Sequence, residues 1–176
     1  FLSNGVKFWD RVRARAWHGP SGNYWQSAFE AIGITMFSPV TGVSEMQTMK
    51  LSRKLLSEKK VVYCMEANGS ACNSCSKCFR RAVIRTYIEP DYSLDWNDYN
   101  TPSLHQFLAR RPLYFGHIFS TCFSLKPELY PDWILNRVTD VVKVDSDWTM
   151  RCYQNSFLLC PPEWREYIAT RVSEFI

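Results

Sequence analysis

No run of about eighteen apolar residues occurs anywhere in this chain, so a membrane-spanning helix is not expected. Nor does it hold a glycine-rich phosphate cradle. Gly19-Pro20-Ser21-Gly22-Asn23 is a loop signal, but the lysine and second glycine of a P-loop are missing, and the triplet Ser-Gly-Gly is absent throughout. There is no H-E-x-x-H helix signature and no Ser–His–Asp pattern. Internal repeats and low-complexity tracts are also lacking. Charge of one sign is scarce: the formal net charge is +4, too little to imply nucleic acid by itself. A secretory leader is not visible and the cysteine count is odd, at seven, so a disulfide framework is not expected. The expected setting is reducing and cytoplasmic. The chain does not open on methionine either. Phe1-Leu2-Ser3-Asn4-Gly5 reads as the interior of a longer polypeptide.

What the chain does hold is apolar mass and a concentration of cysteine. Hydrophobic residues make up 46% and aromatics 15%, enough to build a core in one domain or the larger part of one. Four of the cysteines fall in one stretch: Cys64, Cys72, Cys75 and Cys78, spaced C-x7-C-x2-C-x2-C. A C-x2-C step places two thiolates on one tight turn, facing one ion. A fourth thiolate arriving from the preceding segment completes a tetrahedral cage, the geometry zinc favours in closed structural sites. An iron–sulfur cluster shares part of this spacing, but the ferredoxin run continues C-x3-C-P, whereas Phe79, Arg80 and Arg81 follow here. Reduced, unmetallated thiols are the third reading. Four thiolates on a divalent ion leave about −2 of local charge, and Lys77, Arg80 and Arg81 are placed to offset it from beyond the ligands. A helix opening near Cys78 could also aim its first backbone N–H groups at sulfur.

Around this knot the pattern is first mixed, then helical. Trp25, Ala28, Phe29 and Ile32 recur at helical spacing and predict a buried stripe, with Gly33 as the C-terminal cap. Ile34 to Phe37 reads as a short strand stopped at Ser38-Pro39. Ser44 and Gln47 suggest a capping box for a helix from Glu45 to about Ser57, and Val61 to Tyr63 reads as a second short strand. Such an order is typical of an α/β layer, yet two short strands do not make a parallel sheet. Its partners are expected upstream or in another protein chain. After the cysteines, helices are predicted through Ile84 to Ile88, from Ser103 to Arg111-Pro112, around Ile118 to Phe123, from Pro127 through Val142, and from Pro161 onwards. The last carries Trp164, Tyr167, Ile168, Val172 and Phe175 on one stripe. The expected organisation is 1–63, an α/β part; 64–85, the zinc knot; and 86–176, a helical extension.

The remaining reactive side chains read as structural. His18, His105 and His117 are isolated, and Cys122, Cys152 and Cys160 sit among apolar residues as core thiols. Arg11, Arg13 and Arg15, interleaved with Trp9 and Trp17, could meet phosphate but read first as a solvated face.

A short extended segment ending at Ser38-Pro39, then Thr41-Gly42-Val43-Ser44-Glu45 opening a helix, then the four-cysteine run with an arginine after it, resembles one family. These are the 7-cyano-7-deazaguanine synthase-like proteins of the adenine nucleotide α-hydrolase (PP-loop ATP pyrophosphatase) superfamily. Cys72 to Arg80, CNSCSKCFR, is similar to the C-G-x-C-x-K-C-x-R run of diverged members, and the likeness covers about residues 34–85. It implies an α/β, mostly α chain: the C-terminal part of a parallel-sheet (HUP-like) domain with a structural zinc ion. It also implies ATP-dependent activation of a carboxylate followed by attack of ammonia, with ATP and Mg²⁺ bound by a Ser-Gly-Gly-x-Asp-Ser loop. That loop is not in this chain. Some relatives act in anti-phage defence. Arg80 and Glu45 are the candidates for contact with a small-molecule substrate or nucleotide. The alternative reading is a non-catalytic, zinc-stabilised helical module that binds a partner protein, and a nucleic-acid-binding zinc knot ranks third.

Overall fold

The structure is a computed structural model that describes residues 28–34, 43–55, 64, 72–89, 91–142, 147–152, 157–158 and 160–174. The described residues are mostly helical, and no strand occurs among them. Of the two expected strands, Ile34 is irregular, while 35–37 and 61–63 lie outside the described residues. The chain divides into two compact units, Glu45–Met150 on the one hand and Phe1–Ser44 with Arg151–Ile176 on the other.

The Glu45–Met150 unit is built from α1 (Glu45–Leu55), α2 (Ser76–Ile88), α3 (Pro102–Ala109), α4 (Gly116–Leu125) and the short α5 (Asp132–Leu135). Three 3-10 turns, Trp96–Tyr99, Pro127–Leu129 and Asp147–Met150, connect or follow them. α2 is the centre. Its Phe79, Ala82, Val83 and Thr86 recur at helical spacing and are buried, with Phe79 and Val83 at 0% exposure. Phe79 meets Trp96, Tyr99 and Phe119 with ring centroids 6.2, 5.8 and 5.7 Å away. Phe119 stacks on Phe123, and Phe123 meets Tyr130 edge-on. Each such buried ring stabilises by about 1.5–3 kcal/mol through burial alone. Tyr130 then uses its polar end, donating to the Val83 carbonyl at 2.9 Å. A buried Thr121–Thr149 hydroxyl pair at 2.6 Å ties α4 to the Asp147–Met150 turn.

Several expected boundaries shift for local reasons. α3 is capped by Thr101, not Ser103: the Thr101 hydroxyl accepts from the Leu104 N–H at 3.3 Å, and Pro102 takes the first turn. The helix expected from Pro127 through Val142 is broken. Pro131 forces Tyr130 into extended backbone (φ −127°, ψ 143°), leaving a 3-10 turn, then α5. Ile134, Val138 and Val141 are buried all the same.

In the other unit, residues 28–31 are helical and end at Gly33 (φ 79°). The Gly33 N–H bonds to Glu30 O and the Ile34 N–H to Phe29 O, the double closure that glycine makes possible. Of the stripe expected to be buried here, Ile32 is 69% exposed, Ala28 is exposed and Phe29 is half-buried, while Trp25 lies outside the described residues. The final helix, α6 (Pro162–Ser173), starts where proline predicts and buries Ile168 and Val172. Trp164 and Tyr167, expected on the same buried stripe, are 52% and 60% exposed, and Phe175 lies outside the described residues.

Candidate metal centre

The four cysteines converge. Sγ atoms of Cys64, Cys72, Cys75 and Cys78 all lie within 4.8 Å of one another. Four thiolates bonded to one ion at about 2.3 Å sit about 3.8 Å apart, and Cys72 and Cys78 are already 3.7 Å apart. Cys64 and Cys78 are buried, while Cys72 and Cys75 are half-buried. All four join the hydrophobic core of the Glu45–Met150 unit. The cluster could hold a metal ion. Four sulfurs around one ion would complete a tetrahedron and leave no open position for substrate or water.

Two local devices aim the sulfurs. Asn73 adopts the left-handed conformation (φ 53°), which turns the chain within the Cys72–Cys75 step. Its side chain is clamped: the Tyr99 hydroxyl donates to Asn73 Oδ1 at 3.1 Å, and Asn73 Nδ2 donates to Asp98 Oδ2 at 3.5 Å. Cys75 is the N-cap of α2, its sulfur accepting the Cys78 N–H at 3.4 Å. A first-turn amide thus reaches sulfur, and the helix starts at Ser76, before Cys78.

The thiols differ electrostatically. Hydrogen bonds from the Ser74 hydroxyl and backbone lower the Cys72 pKa to about 6. Burial pushes Cys78 up to about 12, and Cys75 is raised for the same reason. Of the three, Cys72 is held towards the thiolate and Cys75 and Cys78 towards the thiol, a difference that a cation among them would offset. Burial also raises the Tyr99 phenol, which keeps it a donor to Asn73.

Arg80 and Glu45, singled out separately in the sequence, are brought together. Arg80 Nε donates to Glu45 Oε1 at 2.9 Å, joining α2 to the start of α1, and the guanidinium lies 3.5 Å over the Phe115 ring. Lys77 is exposed on the first turn of α2, and Arg81 is half-buried on the same helix. His105 bonds Asn100 Oδ1 at 2.6 Å and packs on Trp133. His117 is half-buried beside Phe115, and Cys122 is fully buried. Cys160 is buried and Cys152 half-buried. His18, Arg11, Arg13 and Arg15 lie outside the described residues. Missed in the sequence were the Tyr99–Asn73–Asp98 clamp and Phe115 beneath Arg80. The one available signal was an asparagine inside a C-x2-C step, a residue that tolerates positive φ.

Among the described residues, no helix is long and apolar enough to cross a membrane. No curated protein and no solved structure matches the chain. A family model does match residues 24–176, most of the length, so the chain belongs to the family of unknown function DUF6395.

Proposed function

We propose that Cys64, Cys72, Cys75 and Cys78 hold a structural zinc ion. On this reading the chain is the zinc-bearing portion of an ATP-dependent enzyme of the deazaguanine synthase-like group, its HUP-like sheet completed by residues or chains beyond those described. The observation that carries the reading is the Glu45–Arg80 ion pair. The resemblance includes the helix opening at Glu45 and the arginine that follows the four-cysteine run, and the pair joins these two parts in one place. Such enzymes would use ATP to activate a carboxylate on a small molecule. This chain would supply the zinc-stabilised wall, with the Glu45–Arg80 pair at its edge. The test is metal analysis of the purified protein, followed by pyrophosphate release from ATP in the complete natural polypeptide. One zinc per chain with ATP turnover is the expected result. One zinc without turnover would leave the zinc-stabilised, partner-binding helical module, a reading favoured by the exposed Trp164–Tyr167 pair on α6. Absence of stoichiometric metal would sink both.

A further inference from the structure

Away from the cysteines, a pocket of about 190 Å³ opens among α1, the end of α2 and the Asp147–Met150 turn. It is lined by Met46, Lys50, Tyr87, Ile88, Lys126 and Met150. That is smaller than the about 300–1,000 Å³ of pockets for drug-sized ligands. Its walls are apolar and adaptable, since two methionines and an isoleucine line it. Its polar groups are donors. Lys126 gives one N–H to the Tyr87 carbonyl at 3.2 Å and sits over the Tyr87 ring, which leaves two donors spare. Lys50 has no ion-pair or hydrogen-bond partner among the described residues, and the Tyr87 hydroxyl makes no hydrogen bond among them. Burial raises the Tyr87 phenol, keeping it protonated and able to donate. Glu89, just past Ile88, is engaged by Arg53 and Arg85, so its charge is already matched. Two ammonium groups and a phenol beside an apolar hollow therefore lack the anion that would complete them.

We propose that this pocket binds a short-chain aliphatic carboxylate, its carboxylate held by Lys50 and Lys126 and its alkyl chain against Met46, Ile88 and Met150. A carboxylate offers about four acceptor sites, enough to take a donor from each lysine and from Tyr87. Charge on the lysines selects an anion, and the methionines select a flexible apolar body. No Asp, Glu, His or Cys is among the described lining residues, and an ammonium group has no lone pair with which to attack, so the proposal is of binding and includes no reaction. The proposal does not rest on the zinc or the ATP-dependent reading.

The experiment is an NMR titration of the purified protein with sodium hexanoate, at constant ionic strength, beside hexanamide as the neutral isostere. Expected are saturable shifts of the Lys50, Tyr87 and Lys126 amides with Kd on the order of millimolar, and hexanamide weaker by about tenfold or more. Lys50→Met should weaken hexanoate about tenfold and leave hexanamide unchanged. Equal binding of the two ligands, or shifts that do not saturate or that cluster elsewhere, would overturn the proposal. If Lys50→Met does not fold, the comparison of the two ligands on the unaltered protein decides alone.

Discussion

α2 and α6 are helices of similar length, 13 and 12 residues, and each carries an apolar stripe readable in the sequence. α2 buries Cys78, Phe79, Ala82, Val83, Ile84 and Thr86. α6 buries Ile168 and Val172 and leaves its two large aromatics in solvent. A periodic stripe therefore identifies which face of a helix is apolar, and not whether anything covers it. What distinguishes α2 is its start. Its cap is a cysteine within a four-sulfur cluster, and its first buried ring, Phe79, follows directly. α6 begins on Pro161-Pro162, with no side-chain cap.

Substitutions can break this contrast, beginning with the largest. Cys75→Ser removes one of the four candidate sulfur ligands while leaving a hydroxyl that can still cap α2. It should abolish stoichiometric metal and destabilise by several kcal/mol, a fraction of the about 10–16 kcal/mol that structural zinc supplies. Metal content and a thermal melt check this, and an unchanged melt would remove the structural role. Phe79→Ala should cost about 3–5 kcal/mol, read from denaturant unfolding of the metal-loaded protein. Cys122, on α4, tests the same core through pH. Burial raises its thiol from 9.0 to about 12. The fold favours the neutral form, so this stabilisation is complete below pH 9.0 and is lost as pH rises towards about 12. Roughly 2–4 kcal/mol should disappear across that window, and Cys122→Ala should flatten the alkaline limb while lowering stability at neutral pH. Tyr99→Phe keeps the ring and removes the donor to Asn73. About 1 kcal/mol and faster metal transfer to a competing chelator are expected, and an unchanged transfer rate would show that the clamp does not hold the knuckle. Trp164→Ala on α6 should change stability by less than about 0.5 kcal/mol. A loss as large as that of Phe79→Ala would mean that α6 is covered after all.

The parts legible in the sequence were those fixed by neighbours along the chain. The cysteine spacing needs only tight turns, Gly33 needs only its own positive φ, and prolines mark the start of α6. Pro131 could have been read in the same way: its effect on Tyr130 is local, and the run of spaced valines beyond it masked the break. What stayed hidden was long-range. Glu45 and Arg80 each stood out, yet nothing across 35 residues said that they meet. The Tyr99–Asn73 bond spans 26 residues, and no local spacing links the two. The exposure of Ile32, Trp164 and Tyr167 depends on what packs against them, which periodicity does not encode.

Cys75 belongs to two structures at once, as a member of the four-sulfur cluster and as the group that receives a first-turn amide of α2. Starting a helix is its costly step, because several residues must be ordered for a single hydrogen bond. An ion gripped by Cys72 and Cys75 would order that turn in advance, and capturing the ion and nucleating the helix would become one event. The arrival of metal would then set the clock for assembly. Phe79 and Val83, a turn and two turns farther on, would then gather the surrounding rings after the ion is caught.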